Sequence, residues 1–205
     1  MRAPLATSYR RRFINAELSR HLFVGRVLDI GGGRRGWWCP PPPTCVTVDL
    51  SSPADVIADV QRLPFQEQSF DAVKATEVLE HVADTMAALR ECRRVLRDHG
   101  ELILSAPFME RIHADPHDYA RYTDTMWTLL LAAAGFGVIR ITAQGGYWTH
   151  LAEMLRVLVA GSPWGLRHLL CVTLPLLDVM ARLDGIAGPS SAAYVGGWFI
   201  EARAV

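Results

Sequence analysis

Residues 31–33 are three consecutive glycines that follow a short apolar run, 26–30 (RVLDI). A second run, 45–49 (CVTVD), ends in an acid 16 residues after Gly33. Gly31 and Gly33 permit positive φ, and with Gly32 they let ligand atoms approach the backbone closely. Asp29 stands at the mouth of the first run, Asp49 closes the second, and Asp59 closes a third, 56–59 (VIAD). A carboxylate at the position of Asp49 can accept hydrogen bonds from both hydroxyls of a ribose. Asp59 can accept from an adenine amino group. Three glycines alone make an ordinary tight turn. Three acids at the ends of successive runs beside that turn point to nucleoside binding.

A second set of reactive groups lies in residues 107–123 (PFMERIHADPHDYARYT), which holds His113, His117, Asp118, Tyr119, Arg121 and Tyr122. Histidine exchanges protons near neutral pH, and an adjacent acid can orient its ring. His117 is therefore the first candidate for a base, His113 its rival, and Asp118 the orienting acid. The blander role for the segment is to fix the loop itself. Arg121 and Tyr122 read as loop anchors, and His81 as a structural residue. No His, Cys, Asp or Glu spacing matches a metal knuckle, so no metal is expected.

These residues need elements to hold them. Helical spacing covers about 6–23, with Thr7 or Ser8 as cap. Strands are expected at 26–30, 45–49, 56–59, 70–76, 101–106, 138–142 and about 194–204. Helices are expected at 85–97, 123–134 (with Asp124 a cap variant), 148–160 and 164–183. Strands alternating with helical or connecting segments argue for a parallel sheet with crossover connections. Ligands of such sheets bind beyond the carboxyl ends of the strands.

Taken together, the motifs resemble those of class I S-adenosylmethionine-dependent methyltransferases, in the small UbiE/menaquinone-type branch. Residues 27–33 (VLDIGGG) look like the first motif and 48–51 (VDLS) like the ribose motif. Residues 59–65 (DVQRLPF), 69–73 (SFDAV), 77–82 (EVLEHV) and 94–102 (RVLRDHGEL) match later blocks. The resemblance covers about residues 24–142. It implies a Rossmann-like, mostly parallel sheet of seven strands with helices on both faces and an antiparallel last strand. It also implies S-adenosylmethionine as cofactor and S-adenosylhomocysteine as product. Asp29, Gly31, Gly32 and Gly33 would surround the methionine part, with Glu77 nearby. Asp49 would bind the ribose with Leu50 beside the adenine, and Asp59 and Val60 would frame the adenine. The Leu-Pro-Phe and Glu-x-x-Glu-His segments favour this cofactor over NAD. The expected reaction is methyl transfer to an O or N atom of a small acceptor, such as a secondary metabolite, a glycan or a lipid-linked intermediate. The alternatives are a non-catalytic cofactor-binding partner subunit and an enzyme of cyclase-type chemistry.

One departure from the family stands out. The family's first crossover helix is replaced here by 34–44 (RRGWWCPPPPT). Prolines 40–43 supply no backbone donors and cannot continue a helix, so a shortened helix is expected, with Trp37 and Trp38 covering apolar surface.

At 205 residues the chain fits one domain, with 1–24 a helical cap, 107–123 an active-site loop and 145–190 a helical acceptor lid. In the lid, Trp148, Met154 and Trp164 are the expected pocket walls. An apolar lid suits a hydrophobic acceptor or peripheral contact with a membrane surface. The 21 basic and 21 acidic residues cancel, which leaves no footprint for nucleic acid. Residues 10–12 are the one basic knot, expected to lie on a solvated helix face. The apolar stretch 169–177 is about half of the roughly 20 residues a membrane span requires. The four cysteines form no CxxC pair, and the first residues lack an apolar core with a cleavage site. Both features suit a cytoplasmic location with reduced thiols. The expected partners are the small acceptor and, as an admitted assembly, a second copy of the chain.

Overall fold

Val27–Ile30 (β1), Cys45–Asp49 (β2), Val56–Ile57 (β3), Phe70–Thr76 (β4), Leu96–Pro107 (β5), Phe136–Ala143 (β6) and Gly197–Ala204 (β7) form one sheet in the order β3-β2-β1-β4-β5-β7-β6. β7 runs antiparallel to both β5 and β6, and the other pairings are parallel. The computed structural model describes residues 8–32, 45–51, 53–114, 116–185 and 193–205. The expected proline crossover, Trp37, Trp38 and Gly33 lie outside the described residues.

Helices Tyr9–Arg20 (α1), Thr85–Val95 (α2), Asp124–Ala133 (α3), Tyr147–Gly161 (α4), Trp164–Leu170 (α5) and Leu174–Ala181 (α6) complete the fold. Short polar side chains start three of them by taking up amides left unpaired in the first turn. The Arg11 amide donates to Ser8 Oγ at 3.1 Å and the Ala87 amide to Asp84 Oδ1 at 2.9 Å. The α3 cap is Thr123, whose Oγ1 accepts from the Met126 amide at 3.2 Å. Asp124, expected as a cap variant, instead lies in the first turn.

Alternating side chains of β5 serve the two faces of the sheet. Leu102 and Leu104 join the main core, which includes Leu89, Cys92 and Val95 of α2 and Trp127 and Leu131 of α3. Ile103 points the other way and packs with Phe199 of β7 and with Ile14 and Leu18 of α1. α1 is thereby fixed on the face opposite α2. Burial pushes the Cys92 thiol up to about 12, so it is an inert core group.

Two expected elements change shape. β3 ends at Ile57, so Asp59 lies in the turn beyond it. The single helix expected over 164–183 is divided into α5, a 3-10 turn Cys171–Thr173 and α6. Pro175 occupies the first turn of α6, where its missing N–H costs nothing but where it cannot continue a helix from before. No helix among the described residues is long and apolar enough to cross a membrane.

Candidate active site

β1 lies between β2 and β4, so chain order reverses beside it. That switch point is where an open α/β sheet leaves a crevice beyond its carboxyl ends. A cavity of about 540 Å³ opens there. Gly31, Asp49, Leu50, Asp59, Val60 and Glu77 all line it. Gly31 adopts a φ of 70°, and a Cβ there would meet Val78 Cγ2 at 2.3 Å. Only glycine fits that bend. Asp49 is half-buried and holds the next turn through the Ser51 amide at 3.2 Å. Leu50 beside it is 62% exposed, an apolar side chain held open to the cavity. Asp59 accepts from the Gln61 amide at 2.8 Å.

Asp29 differs from the other acids. It is the third residue of β1, buried, and its carboxylate meets Lys74 Nζ of β4 at 2.6 Å. Burial holds the Lys74 amine below its ordinary range, while Asp29 pulls it back. Asp29 packs directly under Gly32, where an added Cβ would lie 2.7 Å from its carboxyl carbon. The structure thus places Asp29 behind the glycine turn and not among the cavity's lining residues.

Glu77 follows β4 with a φ of 60°, a strained conformation for a side-chain-bearing residue. Its amide donates to Ser105 O, and Ser105 Oγ donates to Glu77 Oε1 at 2.8 Å. Arg10 of α1 reaches Glu77 Oε2 at 2.5 Å and Glu110 at 3.8 Å. Its side chain is 16% exposed. Arg12 meets Asp178 of α6 at 3.3 Å. The solvated basic face expected at residues 10–12 is therefore corrected at Arg10, which Glu77 and Glu110 claim, whereas Arg12 stays exposed beside Asp178.

Arg10 also lines a second cavity of about 340 Å³, walled by α1, the start of the 107–123 loop, α4 and α6. Phe13, Met109, Glu110, His150, Glu153 and Arg182 are among its walls. The Arg10–Glu77 pair stands at the partition between the cavities. From α4 the cavity takes Thr149, His150 and Glu153. Met154 and Trp164, expected as walls, are 57% and 73% exposed.

The 107–123 loop docks on the 3-10 turn Leu79–His81 that follows β4. The Tyr119 amide donates to Glu80 O at 2.7 Å, and His81 Nδ1 to His117 O at 2.6 Å. Asp118 binds the Arg121 guanidinium through both oxygens and accepts from the His113 amide at 3.0 Å. The Arg121 bonds hold the Asp118 carboxyl far below the carboxylate range. His117 is exposed, its ring 5.5 Å from that of Tyr119. Of the three loop candidates, Asp118 and His113 stay together, with Asp118 also on Arg121, while the His117 ring lies apart toward Tyr119.

Two motifs distant in sequence prove to be one clamp. Arg94 of α2 donates to Phe65 O at 2.7 Å and Leu63 O at 3.0 Å. Its partner Glu91 accepts from the Leu63 amide at 2.8 Å. The clamp fixes the Leu-Pro-Phe turn that follows Asp59 and Val60. Sequence reading missed Arg10 and His150, because only the packing of α1 and α4 over the sheet end brings them to the cavities.

Known proteins resemble this chain in sequence and in fold. Residues 28–104 match the family model described as "Methyltransferase domain". A demethylmenaquinone methyltransferase of Mycobacterium sp. (strain KMS) is 34% identical over 109 residues, covering 45% of this chain and 47% of the relative. The first relatives found are covered over only 18% to 47% of their own length, so the chain spans at most about half of each. The solved Burkholderia thailandensis 1,6-didemethyltoxoflavin-N1-methyltransferase, with its substrate and S-adenosylhomocysteine bound, superposes with a TM-score of 0.56. It is 19% identical and is covered over 78% of its length by 96% of this chain. The [4+2]-cyclase SpnF superposes with a TM-score of 0.57 at 18% identity, over 98% of this chain and 84% of its own. At these identities the two structures establish the shared fold.

Proposed function

We infer, from a chain that carries a class I methyltransferase domain, that it transfers a methyl group from S-adenosylmethionine to an O or N atom of a small polar acceptor. The observation that carries this reading is the cavity at the β1/β4 switch point, with Gly31, Asp49, Asp59 and Glu77 on its walls. Each part of the cofactor has a fitting residue there. Asp49 accepts the ribose hydroxyls, Leu50 and Val60 flank the adenine, and Asp59 accepts from its amino group. The bare Gly31 backbone admits the chain between ribose and sulfur. Arg10 and Glu77, one positive and one negative, match the carboxylate and ammonium of the methionine end.

When bound, S-adenosylmethionine supplies a methyl already activated by its positive sulfur. Held by Gly31, Asp49 and Asp59, it would supply that methyl to the acceptor and leave as S-adenosylhomocysteine. The protein's part is to align the acceptor and exclude water, and alignment can lower such a barrier by roughly 7–11 kcal/mol at best. The second cavity, across the Arg10–Glu77 partition, holds the acceptor, with α4 and α6 as its lid. Its inward face carries His150, Glu110, Glu153 and Arg182, which suits an acceptor with hydrogen-bonding groups. A hydroxyl or ammonium acceptor must also lose a proton. His150 lines this cavity and is placed to take it. His117, the base expected from sequence, is the rival.

Titration calorimetry with S-adenosylmethionine tests the reading. Asp49→Ala is expected to weaken binding at least tenfold, about 1.4 kcal/mol, because the ribose loses its paired acceptor. Wild-type affinity in that variant removes the cofactor assignment.

A further inference from the structure

Glu80 carries a buried carboxyl group. Its side chain is 1% exposed, and neither oxygen has a hydrogen-bond partner among the described residues. A buried carboxylate is normally paired, hydrogen-bonded or bound to a metal ion. The nearby guanidiniums of Arg121 and Arg10 make their ion pairs with Asp118 and Glu77.

Two histidines face it. His81 Nε2 lies 3.8 Å and His113 Nε2 4.0 Å from Glu80 Oε1, beyond hydrogen-bond length. The other nitrogen of each ring is occupied. His81 Nδ1 lies 2.6 Å from His117 O and His113 Nδ1 lies 3.0 Å from Arg111 O. A carbonyl oxygen only accepts, so both Nδ1 atoms carry protons, and in the neutral rings both Nε2 atoms present lone pairs. Two lone pairs therefore converge on one carboxyl oxygen of Glu80. One ligand atom from each of the three residues lies within 4.8 Å of the others. A backbone acceptor behind each ring is the usual support of a metal-bound histidine.

We propose that Glu80, His81 and His113 bind one divalent transition-metal ion of the zinc class. Two imidazoles and a carboxylate match the ligand preference of that class, and three protein ligands leave a fourth position open. Tetrahedral bonds of zinc length put ligand atoms about 3.4 Å apart. The observed separations of 3.8 and 4.0 Å need only a small closing movement. The ion ties the 107–123 loop, through His113, to the turn after β4. His81 itself lines the cofactor cavity, so the ion sits at its wall.

The test needs neither cofactor nor acceptor and is independent of the methyl-transfer reading. Protein stripped with a chelator is titrated with cobalt(II), read by its visible ligand-field absorption, and then with zinc in competition. One equivalent of cobalt is expected to give the intense bands of a low-coordinate site. Glu80→Gln and His113→Ala are each expected to lower affinity at least about tenfold, and His168→Ala, remote in sequence and exposed, to leave it unchanged. Glu80→Gln keeps the shape of a buried side chain while removing its charge, and circular dichroism checks its fold. His113→Ala, in the loop, serves should that variant unfold. A spectrum no stronger than that of the hydrated ion, or equal affinity in both variants, overturns the proposal. Glu80 would then be held as a neutral acid.

Discussion

His150 and His117 compete for one role, the acceptor's proton, and they stand in different places. His150 lines the smaller cavity, whereas His117 is exposed beside Tyr119 and lends its carbonyl to His81. His150→Ala is expected to lower kcat by about 10²- to 10⁴-fold, the range of general-base loss, with cofactor affinity kept. His117→Ala is expected to have the smaller effect on kcat. Turnover read as S-adenosylhomocysteine formation decides between them, and the reverse order would return the base to His117. At this scale sequence is a good guide to residue type and a poor one to role. Asp49, Asp59 and Gly31 stand on the cavity where the motifs place them. Asp29 has the same motif origin, yet Lys74 binds it behind the turn. Lys74 lies 45 residues along the chain, and only the β1–β4 register brings it opposite Asp29.

Among the elements, α2 carries an ion pair with a readable pH dependence. The Arg94 side chain, helped by the Leu63 amide, holds the Glu91 carboxyl below its ordinary range. A carboxyl lowered in the folded state stabilises the fold above its unfolded pKa, about 4.3. That stability is lost as pH falls through the lower folded value. The wild-type melting temperature is therefore expected to drop as pH falls below about 4.3. In Glu91→Gln that acid-dependent part of the drop should shrink, because the side chain no longer titrates. Identical acid profiles in thermal melts would show that Glu91 contributes nothing. Most elements were legible because their signals are local. Strand-period alternation, the glycine bend and the Ser8 cap each act within a few residues. The division of α5 from α6 was also local, written in Pro175, but apolar periodicity masked it. The Arg94–Glu91 clamp on the Leu-Pro-Phe turn was visible only as two separate motifs. Nothing in either reports that they touch.

For the whole molecule, α1 is the part that couples the start of the chain to the site. Ile14 and Leu18 fix it against Ile103 and Phe199, and Arg10 then reaches Glu77. Ligand at a hundred times its Kd stabilises the native state by about 2.7 kcal/mol. S-adenosylmethionine at that level is expected to raise the melting temperature. It should slow amide exchange in α1 more than in α3, which adds no residue to either cavity's lining. Uniform protection across both helices would argue against Arg10 as a cofactor contact. The positions of the strands along the chain and the residue types at their ends were legible in the sequence, because hydrophobic period and turn residues act over short spans. The partition between the two cavities, the polar face of α4 and the meeting of Glu80, His81 and His113 were decided by tertiary structure alone. Each brings together side chains from elements far apart in the chain, and their proximity depends on how helices pack over the sheet end. No local preference encodes that packing.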